Sequence, residues 1–532
     1  MKKKKKTWMG LPFFVLIFSA YPSLALLATN IREVEAGVVA RPLLASFLGT
    51  ALLVVIFWAF FKDWIRASFA TAMILVPFFS YGHITRVISD RLDPDLYTVT
   101  QVTIYLVFVG LTVLAIRWIL RKGSRLRDWT GPVNMIGIAL ILFPVMQISG
   151  FALGIGPAAE QVEATPAPTF EIPRDMTTEP SPTGENPNQY PDVYLIVLDG
   201  YSRADTLEAL GFDNSEFLNS LEGLGFYVAQ CSRSNYRHTL LSMSSTFSMD
   251  LLWRAIPNSG PADTNTAPLY DALIHNTVRN DFEQQGYAIV GFQTGYQWDQ
   301  WTDADYYLVP GGESSPADQA NVPSITPFEY IFLKNTAVYP FVEKSSLATQ
   351  RFYGHYNQVN FTLDELPKVA TEIPGPKFTY AHIMSPHTPY IFLPDGSLNK
   401  DSRFYNTETG TPSNPKLQAE GYINNIRFLN SRMLTVLDEI IKNSKIPPII
   451  ILQGDHGYVL EERRYNNLMA FHFPNGGNAS LYPTITPINT FRLVSNLYFG
   501  TNLELRNDVS NESDIGHPYL QKRAKSFPET CP

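Results

Sequence analysis

Four short stretches of this chain hold side chains that can bind a cation or attack a phosphate or sulfate ester. The first is Asp199, which follows the apolar run Val193–Leu198. Such a run is typical of a central strand in a parallel sheet, and open α/β sheets bind ligands at the carboxyl ends of their strands. Asp-Gly is also a common turn pair, so this carboxylate alone is weak evidence for a site.

The second stretch repeats this pattern late in the chain. The apolar run Ile449–Leu452 leads into Gly454-Asp455-His456-Gly457, and residues 422–441 before it have the apolar spacing of a helix. Adjacent Asp and His side chains at a strand end can bind one cation. Oxygen and imidazole ligands together favour Zn²⁺ or Mn²⁺, with Mg²⁺ or Ca²⁺ as alternatives. The competing interpretation is a structural turn.

The third stretch, SRSNYRHTLLSMSSTFSM, supplies hydroxyl groups ahead of a predicted helix, Thr239 among them. A hydroxyl that attacks phosphorus or sulfur must be deprotonated, and metal coordination achieves this. A helix N-terminus would also offer free N–H groups to the attacked phosphate. The alternative, which this stretch alone favours, is that Thr239 only caps the helix.

The fourth stretch joins a predicted strand, 378–383, to a loop that reads SPHTPY. His387, held between the two prolines, is a candidate general acid or a contact to the transferred group. His382, inside the strand, is predicted to be a core residue with satisfied hydrogen bonds. His472, in the apolar run 468–473, is a weaker candidate for substrate binding or for a second metal.

The elements that must position these side chains divide the chain in two. Long apolar runs are confined to the first 155 residues, and five of them are long enough to cross a bilayer, which takes about 20 residues. They are residues 7–28, 43–61, 67–84, 98–116 and 132–155. Lys and Arg concentrate before the first run, between the second and third, and between the fourth and fifth, which predicts cytoplasmic loops there. Everything after residue 155 is then extracytoplasmic, and this also holds if the first run is a cleaved signal peptide.

The remaining residues predict a linker and one large domain. Residues 156–190 are rich in Pro, Thr and Glu and are predicted to be a solvated linker. Residues 191–532 are predicted to form an α/β domain with a central, mostly parallel sheet. A net charge of −8 gives no indication of a nucleic-acid partner. The two cysteines, Cys231 and Cys531, provide no disulfide framework, although they can pair in an oxidising compartment.

In this order, the four stretches resemble the alkaline phosphatase/sulfatase superfamily. Within it they are similar to the membrane-anchored branch that contains lipoteichoic acid synthase and the lipid A phosphoethanolamine transferases. The resemblance implies an all-α N-terminal domain of about five spans followed by an external sulfatase-like domain. It also implies a role for Arg203, which lies in a Ser-Arg-Ala-Asp run similar to the one after the family's first ligand.

The resemblance assigns these roles residue by residue, except that of His472, which is suggested only by its place in the apolar run 468–473. The predicted metal ligands are Asp199, Thr239, Asp455 and His456; the predicted catalytic residues are Thr239, as nucleophile, and His387; the predicted substrate contacts are Arg203, His387 and His472. Asp199 departs from the transferases, which usually have Glu there. The residues after Cys231 lack the Pro and Arg of a formylglycine sulfatase, and the disulfides typical of phosphoethanolamine transferases are absent.

These residues predict a metal-dependent phosphotransferase at the outer membrane surface. It would move a phospho-head group from a membrane lipid to a lipid-linked or glycan acceptor in the cell envelope, through a covalent ester of Thr239. One alternative is a membrane-anchored hydrolase of phosphate or sulfate esters. Another is a non-catalytic envelope assembly protein that retains the fold.

Overall fold

A computed structural model describes most of the chain. The described residues are 10–31, 36–89, 97–122, 125–152, 190–257, 259–310, 326–342, 346–405, 411–412, 414–458 and 463–524. The chain divides into two compact units, one of residues 1–164 and 323–351 and the other of residues 165–322 and 352–532. Almost all of the predicted linker, and Cys531, lie outside the described residues. Cys231 is disulfide-bonded.

The first unit is built from long apolar helices. They are α1 (Phe14–Asn30), α2 (Ala40–Phe61), α3 (Trp64–Ser89), α4 (Tyr97–Lys122) and α5 (Leu126–Ala152). Four of the described helices are long and apolar enough to cross a membrane, and α1 is apolar but shorter, at 17 residues. Large apolar side chains such as Leu48, Leu106 and Phe143 are more than 60% exposed. Helices that are apolar on their exposed faces are typical of a lipid environment, so the prediction of a membrane-spanning helical domain is confirmed.

The second unit is organised around one sheet. Its strands are β1 (Val193–Leu198), β2 (Tyr227–Val228), β3 (Ala288–Phe292), β4 (Tyr306–Leu308), β5 (Lys377–Ile383), β6 (Ile449–Gln453) and β7 (Met469–His472). They are ordered β2-β7-β6-β1-β5-β3-β4, and only the contacts of β7 with β6 and with β2 are antiparallel. This confirms the prediction of a mostly parallel α/β sheet.

Helices cover the sheet. Those of the second unit are α6 (Ala204–Ala209), α7 (Ser215–Gly223), α8 (Thr239–Ser248), α9 (Leu252–Ala255), α10 (Ala267–Ile274), α11 (Thr277–Gln284), α15 (Val369–Glu372), α16 (Pro415–Asn443) and α17 (Pro487–Tyr498). Two short helices between α11 and α15, α12 (Pro327–Lys334) and α13 (Tyr339–Val342), belong to the first unit. The helix α14 (Ser346–Glu365) begins in the first unit and continues into the second. Every residue of β1 is buried. Tyr194, Ile196 and Leu198 join one apolar cluster and the alternate residues of β1 join another, so both faces of the sheet are covered.

The strand register sets where the site forms. Leu198 lies beside Ile383 of β5, and Val197 lies beside Gln453 of β6. Because these three neighbouring strands run in parallel, the residues that follow them meet at one edge of the sheet. That edge carries the candidate residues of three of the four stretches.

Candidate active site

Asp199 is held by its backbone and leaves its carboxylate without partners. Its N–H donates to the Ile383 carbonyl at 2.9 Å, and its carbonyl accepts from the His387 N–H at 2.9 Å. The side chain is fully buried, and neither carboxylate oxygen has a hydrogen-bond partner among the described residues. Gly200 follows with a φ of +74°, a conformation that favours glycine. The chain therefore places a buried carboxylate with two free acceptor atoms at the sheet edge.

Asp455 is anchored by one oxygen and points the other into the same space. Its Oδ1 accepts from the Gly200 N–H at 2.8 Å, whereas Oδ2 has no partner among the described residues. The loop after β6 approaches the loop after β1 so closely that a Cβ on Gly454 would lie 2.2 Å from the Tyr201 carbonyl oxygen, and glycine is therefore required there. Burial opposes ionisation, but His456 and His382 together lower the pKa of Asp455 below its ordinary value.

His456 completes the cluster through Nε2. Its Nδ1 donates to the Gly457 carbonyl at 2.8 Å, which assigns the hydrogen to Nδ1 and leaves a lone pair on Nε2. That nitrogen lies 3.4 Å from Asp455 Oδ2 and 3.8 Å from Asp199 Oδ1. Three acceptor atoms thus face one another in a buried space.

Thr239 is the first residue of α8, and its hydroxyl lies 3.3 Å from His456 Nε2. The cap position belongs to His238, and no side chain caps this helix. The interpretation of Thr239 as a helix cap is therefore wrong. The hydroxyl adjoins the acceptor cluster, which is where a metal-activated nucleophile has to be.

These residues fit a divalent cation. The carboxylate oxygens of Asp199 and Asp455 that meet here without a hydrogen-bond partner repel one another unless a proton or a cation lies between them. Ligand atoms of Asp199, His382 and Asp455 all lie within 4.8 Å of one another. The mixed carboxylate and imidazole set matches the ligand preference of Zn²⁺ or Mn²⁺.

His382 departs from its prediction in its hydrogen bonding. It is buried in β5, as predicted, and its Nδ1 lies 2.5 Å from Asp299 Oδ2. Its Nε2, however, has no hydrogen-bond partner among the described residues and lies 3.8 Å from Asp199 Oδ2. Burial disfavours the imidazolium, yet Asp299, with Asp199 and Asp455, raises the pKa of His382 to about 9. His382 Nε2 thus faces the carboxylates of the cluster rather than an ordinary core, as an N–H donor while the ring is protonated and as a ligand position when it is neutral.

Asp299 orients His382 from behind. Its two oxygens accept from the Tyr380 hydroxyl at 2.9 and 3.0 Å, in addition to the contact with His382. A carboxylate that holds the outer nitrogen of a metal-binding histidine fixes the tautomer and the ring orientation. Tyr296 lies near the same centre, where burial, Asp199 and Asp455 raise the pKa of its phenol well above the usual value. Tyr296 therefore remains a neutral donor.

His387 lies at the rim of the cluster. A Cβ on Gly200 would lie 3.9 Å from its ring, and its ring centroid is 6.4 Å from that of His456. Its Nδ1 faces the Thr388 carbonyl at 2.9 Å, which leaves Nε2 as the nitrogen available for proton exchange. This placement is compatible with the predicted role toward a leaving group.

Two arginines, Arg237 and Arg464, lie near the carboxylates of the cluster. Arg237 precedes Thr239 by two residues, and the Arg464 carbonyl accepts from the Gly457 N–H at 2.7 Å. The Nε atoms of both arginines are buried without a partner among the described residues. Burial and the charge of Arg237 lower the pKa of Arg464. Two cations that are partly desolvated and close to one another form a favourable place for an anion.

Two predicted substrate contacts, Arg203 and His472, have their side chains bonded to other partners within the fold. Arg203 is bidentate to Asp205, at 2.8 and 2.9 Å, and its third donor bonds the Ser232 carbonyl, so its guanidinium has a structural role. His472 pairs with Ile450 at the start of β6, the opposite end of that strand from Asp455. Its Nδ1 bonds the Pro448 carbonyl at 2.8 Å. Both expectations are corrected, because each side chain is used by neighbours that the sequence does not reveal.

The residues missed by sequence reasoning share one signal. Tyr296 and Asp299 follow β3, just as Asp199 follows β1 and Asp455 follows β6. The run GYQWDQW after an apolar strand is a fourth polar strand end that the pattern already used could have identified. The approach of Arg464 to Arg237 has no such signal, since 226 intervening residues hide it.

Comparison with known families supports this organisation. The sulfatase family model matches residues 271–506, slightly less than half of the chain. The match includes Asp299, His382, Asp455 and His456, and it begins after Thr239. This region of the chain is therefore similar to the sulfatase family. No curated protein sequence matches the chain.

The solved structures to which the chain is similar are distant in sequence. The C-terminal periplasmic domain of EptC from Escherichia coli, in complex with Zn, is 10% identical, with a TM-score of 0.40 over 64% of this chain and 93% of that one. The integral membrane protein lipooligosaccharide phosphoethanolamine transferase A from Neisseria meningitidis is 12% identical, with a TM-score of 0.38 over 92% and 95%. The lipoteichoic acid synthase LtaP from Listeria monocytogenes is 14% identical, with a TM-score of 0.33 over 62% and 75%.

Proposed function

We propose that this membrane protein with a sulfatase-like domain is a metal-dependent phosphotransferase that acts at the outer membrane surface. It moves a phospho-head group from a membrane lipid to a lipid-linked or glycan acceptor of the cell envelope, through a covalent ester of Thr239. The observation that carries this proposal is the convergence of the unpartnered carboxylate oxygens of Asp199 and Asp455 on His456 Nε2, which lies beside the Thr239 hydroxyl.

The residues that would hold the cation are Asp199, Thr239, Asp455 and His456, with His382 as a further ligand position. When bound, a divalent cation lowers the pKa of a coordinated hydroxyl and offsets negative charge on phosphoryl oxygens. Asp299 and Tyr380 keep the His382 ring oriented. Arg237 and Arg464 offer cationic groups to oxygens of the bound phosphodiester.

The reaction proceeds in two displacements at phosphorus. In the first, ionised Thr239 Oγ1 forms a bond to phosphorus as the bond from phosphorus to the diacylglycerol oxygen breaks. His387 donates a proton from Nε2 to that leaving oxygen. In the second, an acceptor hydroxyl or amine attacks phosphorus, its proton passes to His387, and Thr239 Oγ1 leaves. After the first step Thr239 is esterified and His387 is neutral; the second step frees ionised Thr239 Oγ1 and returns the proton to His387, so the two steps together restore the starting protonation.

The first compact unit, residues 1–164 and 323–351, is called the membrane unit from here on, and its helices support a lipid donor. Five apolar helices are more than a simple anchor needs, and the distribution of Lys and Arg favours an extracytoplasmic position for the residues after 155. A tethered hydrolase could be built in the same way, so the fate of the covalent ester decides between transfer and hydrolysis.

The test is the intact mass of the full-length protein in detergent, with Mn²⁺ or Zn²⁺ added, after exposure to defined phospholipids. The expected result is an adduct whose mass equals the phospho-head group, which is lost in Thr239→Ala while metal content is unchanged. Thr246→Ala, a buried hydroxyl of the same helix that bonds the Ser242 carbonyl, is the matched control and keeps the adduct. Full transfer activity in Thr239→Ala would refute the mechanism. Release of the head group to water without transfer would replace the transferase by a hydrolase.

A further inference from the structure

A short helical hairpin in the second half of the chain belongs to the membrane unit. It consists of α12 (Pro327–Lys334), the turn 335–338 and α13 (Tyr339–Val342), and we call it the return hairpin. Its residues lie inside the region that the sulfatase family model matches, yet they form one compact unit with helices α1–α5. The sequence interpretation had placed them in the external domain, a boundary that stays a prediction.

The return hairpin is bonded to α3 through backbone groups. The Gly82 N–H donates to the Asn335 carbonyl at 3.2 Å, and the Phe78 carbonyl accepts from the Ala337 N–H at 2.9 Å. Phe78 and Gly82 are one helical turn apart, so the turn of the hairpin bonds one turn of α3 at two points. Non-helical backbone at membrane depth is tolerated only where its polar groups find partners in the protein, and these bonds provide them.

Gly82 makes this approach possible. A Cβ at Gly82 would lie 2.2 Å from the Lys334 carbonyl oxygen and 2.5 Å from the Asn335 Cα. Both atoms are backbone and cannot rotate away. Gly110, in the middle of α4, has nothing within 4 Å of the corresponding position. Glycine is therefore required at position 82 by the contact with the hairpin, whereas Gly110 makes no comparable contact.

The contacts lie well inside a membrane span. Gly82 and Phe78 are six and ten residues from Ile88, where the α3 span ends, which is about 9 and 15 Å along the helix axis. The 25-residue span is about 37 Å long against a hydrocarbon core of about 30 Å, so the overhang at each end is only about 4 Å. The turn of the hairpin thus reaches the level of the acyl chains.

The charged residue of the hairpin lies near the membrane surface, and its exposed apolar residues lie farther toward the acyl chains. Glu329, in the first turn of α12, bonds Arg41 at 2.8 Å, and Arg41 stands at the start of α2 on the same side of the membrane. Farther along, Phe341 is 66% exposed and its ring lies 6.4 Å from that of Tyr105, a residue inside the α4 span. Ile331 is 40% exposed. A charged pair at the entrance and exposed apolar side chains beyond it are the pattern of an element inserted into a bilayer.

We infer that the return hairpin is inserted into one leaflet of the membrane and that its exposed face, with Ile331 and Phe341, contacts phospholipid acyl chains. The chain after the predicted linker is then attached to the bilayer a second time, through its own sequence. This inference rests on the contacts of residues 326–342 with α2, α3 and α4 and does not depend on the proposed reaction.

Spin labels test the inference in the full-length protein in phosphatidylcholine nanodiscs. With Cys231 disulfide-bonded, Phe341→Cys provides an introduced thiol for a nitroxide, and Ile331→Cys provides a second position should the first variant fold poorly. The expected result is strong relaxation by dissolved oxygen and weak relaxation by a water-soluble nickel chelate. Leu505→Cys, 38% exposed in the other unit, is the control and should respond in the opposite way. Labels at 331 and 341 that respond like the label at 505 would overturn the inference.

A second pair of variants tests the docking itself. Gly82→Ala should displace the hairpin and increase the nickel accessibility of the label at position 341 several-fold. Gly110→Ala adds the same methyl group to the neighbouring span without meeting other atoms and should leave the label unchanged. Equal responses to the two substitutions would show that the hairpin does not depend on its contact with α3, and the proposed insertion would fail.

Discussion

Each end of the β1–β5 strand pair brings a buried aspartate close to a basic side chain, but only one of the two aspartates is hydrogen-bonded to its neighbour. At the start, Asp192 bonds Lys377 at 2.9 Å, and the two side chains are only 13% and 3% exposed. At the end, Asp199 faces His382 at 3.8 Å and both of its oxygens lack hydrogen-bond partners within the described part of the chain. The same two strands thus hold one satisfied acid–base pair and one unsatisfied pair.

The difference indicates which end of the sheet is used for chemistry. A buried charge with a partner stabilises the fold relative to a broken pair, whereas a buried charge without one lowers stability and persists where a ligand compensates it. Position within the strand pair is therefore less informative than the bonding state of each carboxylate. Substitutions at the two ends should have opposite consequences.

The largest effect is expected for Asp199→Asn. Loss of one ligand charge should abolish metal binding and lower transfer activity by about a thousandfold or more, because nucleophile activation depends on the cation. The metal-free variant should not melt below the metal-free wild type, since an unpaired buried charge has been removed. Metal content by mass spectrometry and thermal unfolding check this. Loss of stability in the metal-free variant would contradict the comparison.

Asp192→Ala should have the opposite effects: it should lower the stability of the fold and leave metal binding unchanged. Lys377 would be left buried without its carboxylate, which costs about 3–5 kcal/mol in the free energy of unfolding. Metal affinity, measured by calorimetry at a temperature where the variant is folded, should be unchanged. Adding Lys377→Met should restore part of the lost stability, because the stranded charge is then removed as well. A weakened metal site would show that the two ends of the sheet are coupled.

Asp299→Asn should weaken metal binding without removing a ligand. Outer partners of metal-bound histidines typically contribute about 10–100-fold in affinity, so a loss in that range is expected. Asp303→Asn is the matched control: its carboxylate bonds Arg279 at 2.8 Å, away from the cluster, and its affinity should equal that of the wild type. Unchanged affinity in Asp299→Asn would mean that His382 has a structural role only.

Asp205 shows whether the position of a carboxylate on the sheet or its bonding state matters more, and the test is the pH dependence of the free energy of unfolding. It lies near the carboxyl end of β1, yet Arg203 satisfies it; although burial opposes this, Arg203 lowers the pKa of Asp205 below the ordinary value. A lowered pKa means that the stabilisation is complete above about pH 4 and is lost as the pH falls through the pKa of the folded state. Asp205→Asn should therefore cost about 2 kcal/mol at pH 7 and progressively less below pH 4, by denaturant unfolding. A pH-independent difference would contradict the assignment.

The smallest effect is expected for His472→Gln. Its ring bonds Pro448 at the start of β6, so transfer activity and metal affinity should both stay within about twofold of the wild type, the range of an exposed or remote substitution. Steady-state kinetics and calorimetry provide the comparison. A loss of activity comparable to that of Asp299→Asn would restore His472 to the site.

Most of the site was predictable because it follows strand ends. Asp199 and Asp455-His456 were identified from apolar runs that stop at polar residues, and parallel neighbouring strands bring such residues together. Tyr296 and Asp299 follow the same rule and were overlooked. The misplacement of Arg203 and His472 has a different cause, since both are consumed by partners, Ser232 and Pro448, that local sequence does not indicate.

The sequence by itself determined the division into apolar helices and an α/β sheet, because hydrophobic length and periodicity are local properties of the chain. It also determined the chemical types available at the strand ends. Tertiary structure alone decided which of those groups are left without partners: Asp192 is matched by Lys377 and Asp199 is not. It alone returned residues 326–342 to the membrane unit, because their contacts with Phe78 and Gly82 join backbone groups more than 250 residues apart. Pairing over such distances is set by packing and register, which no local pattern encodes.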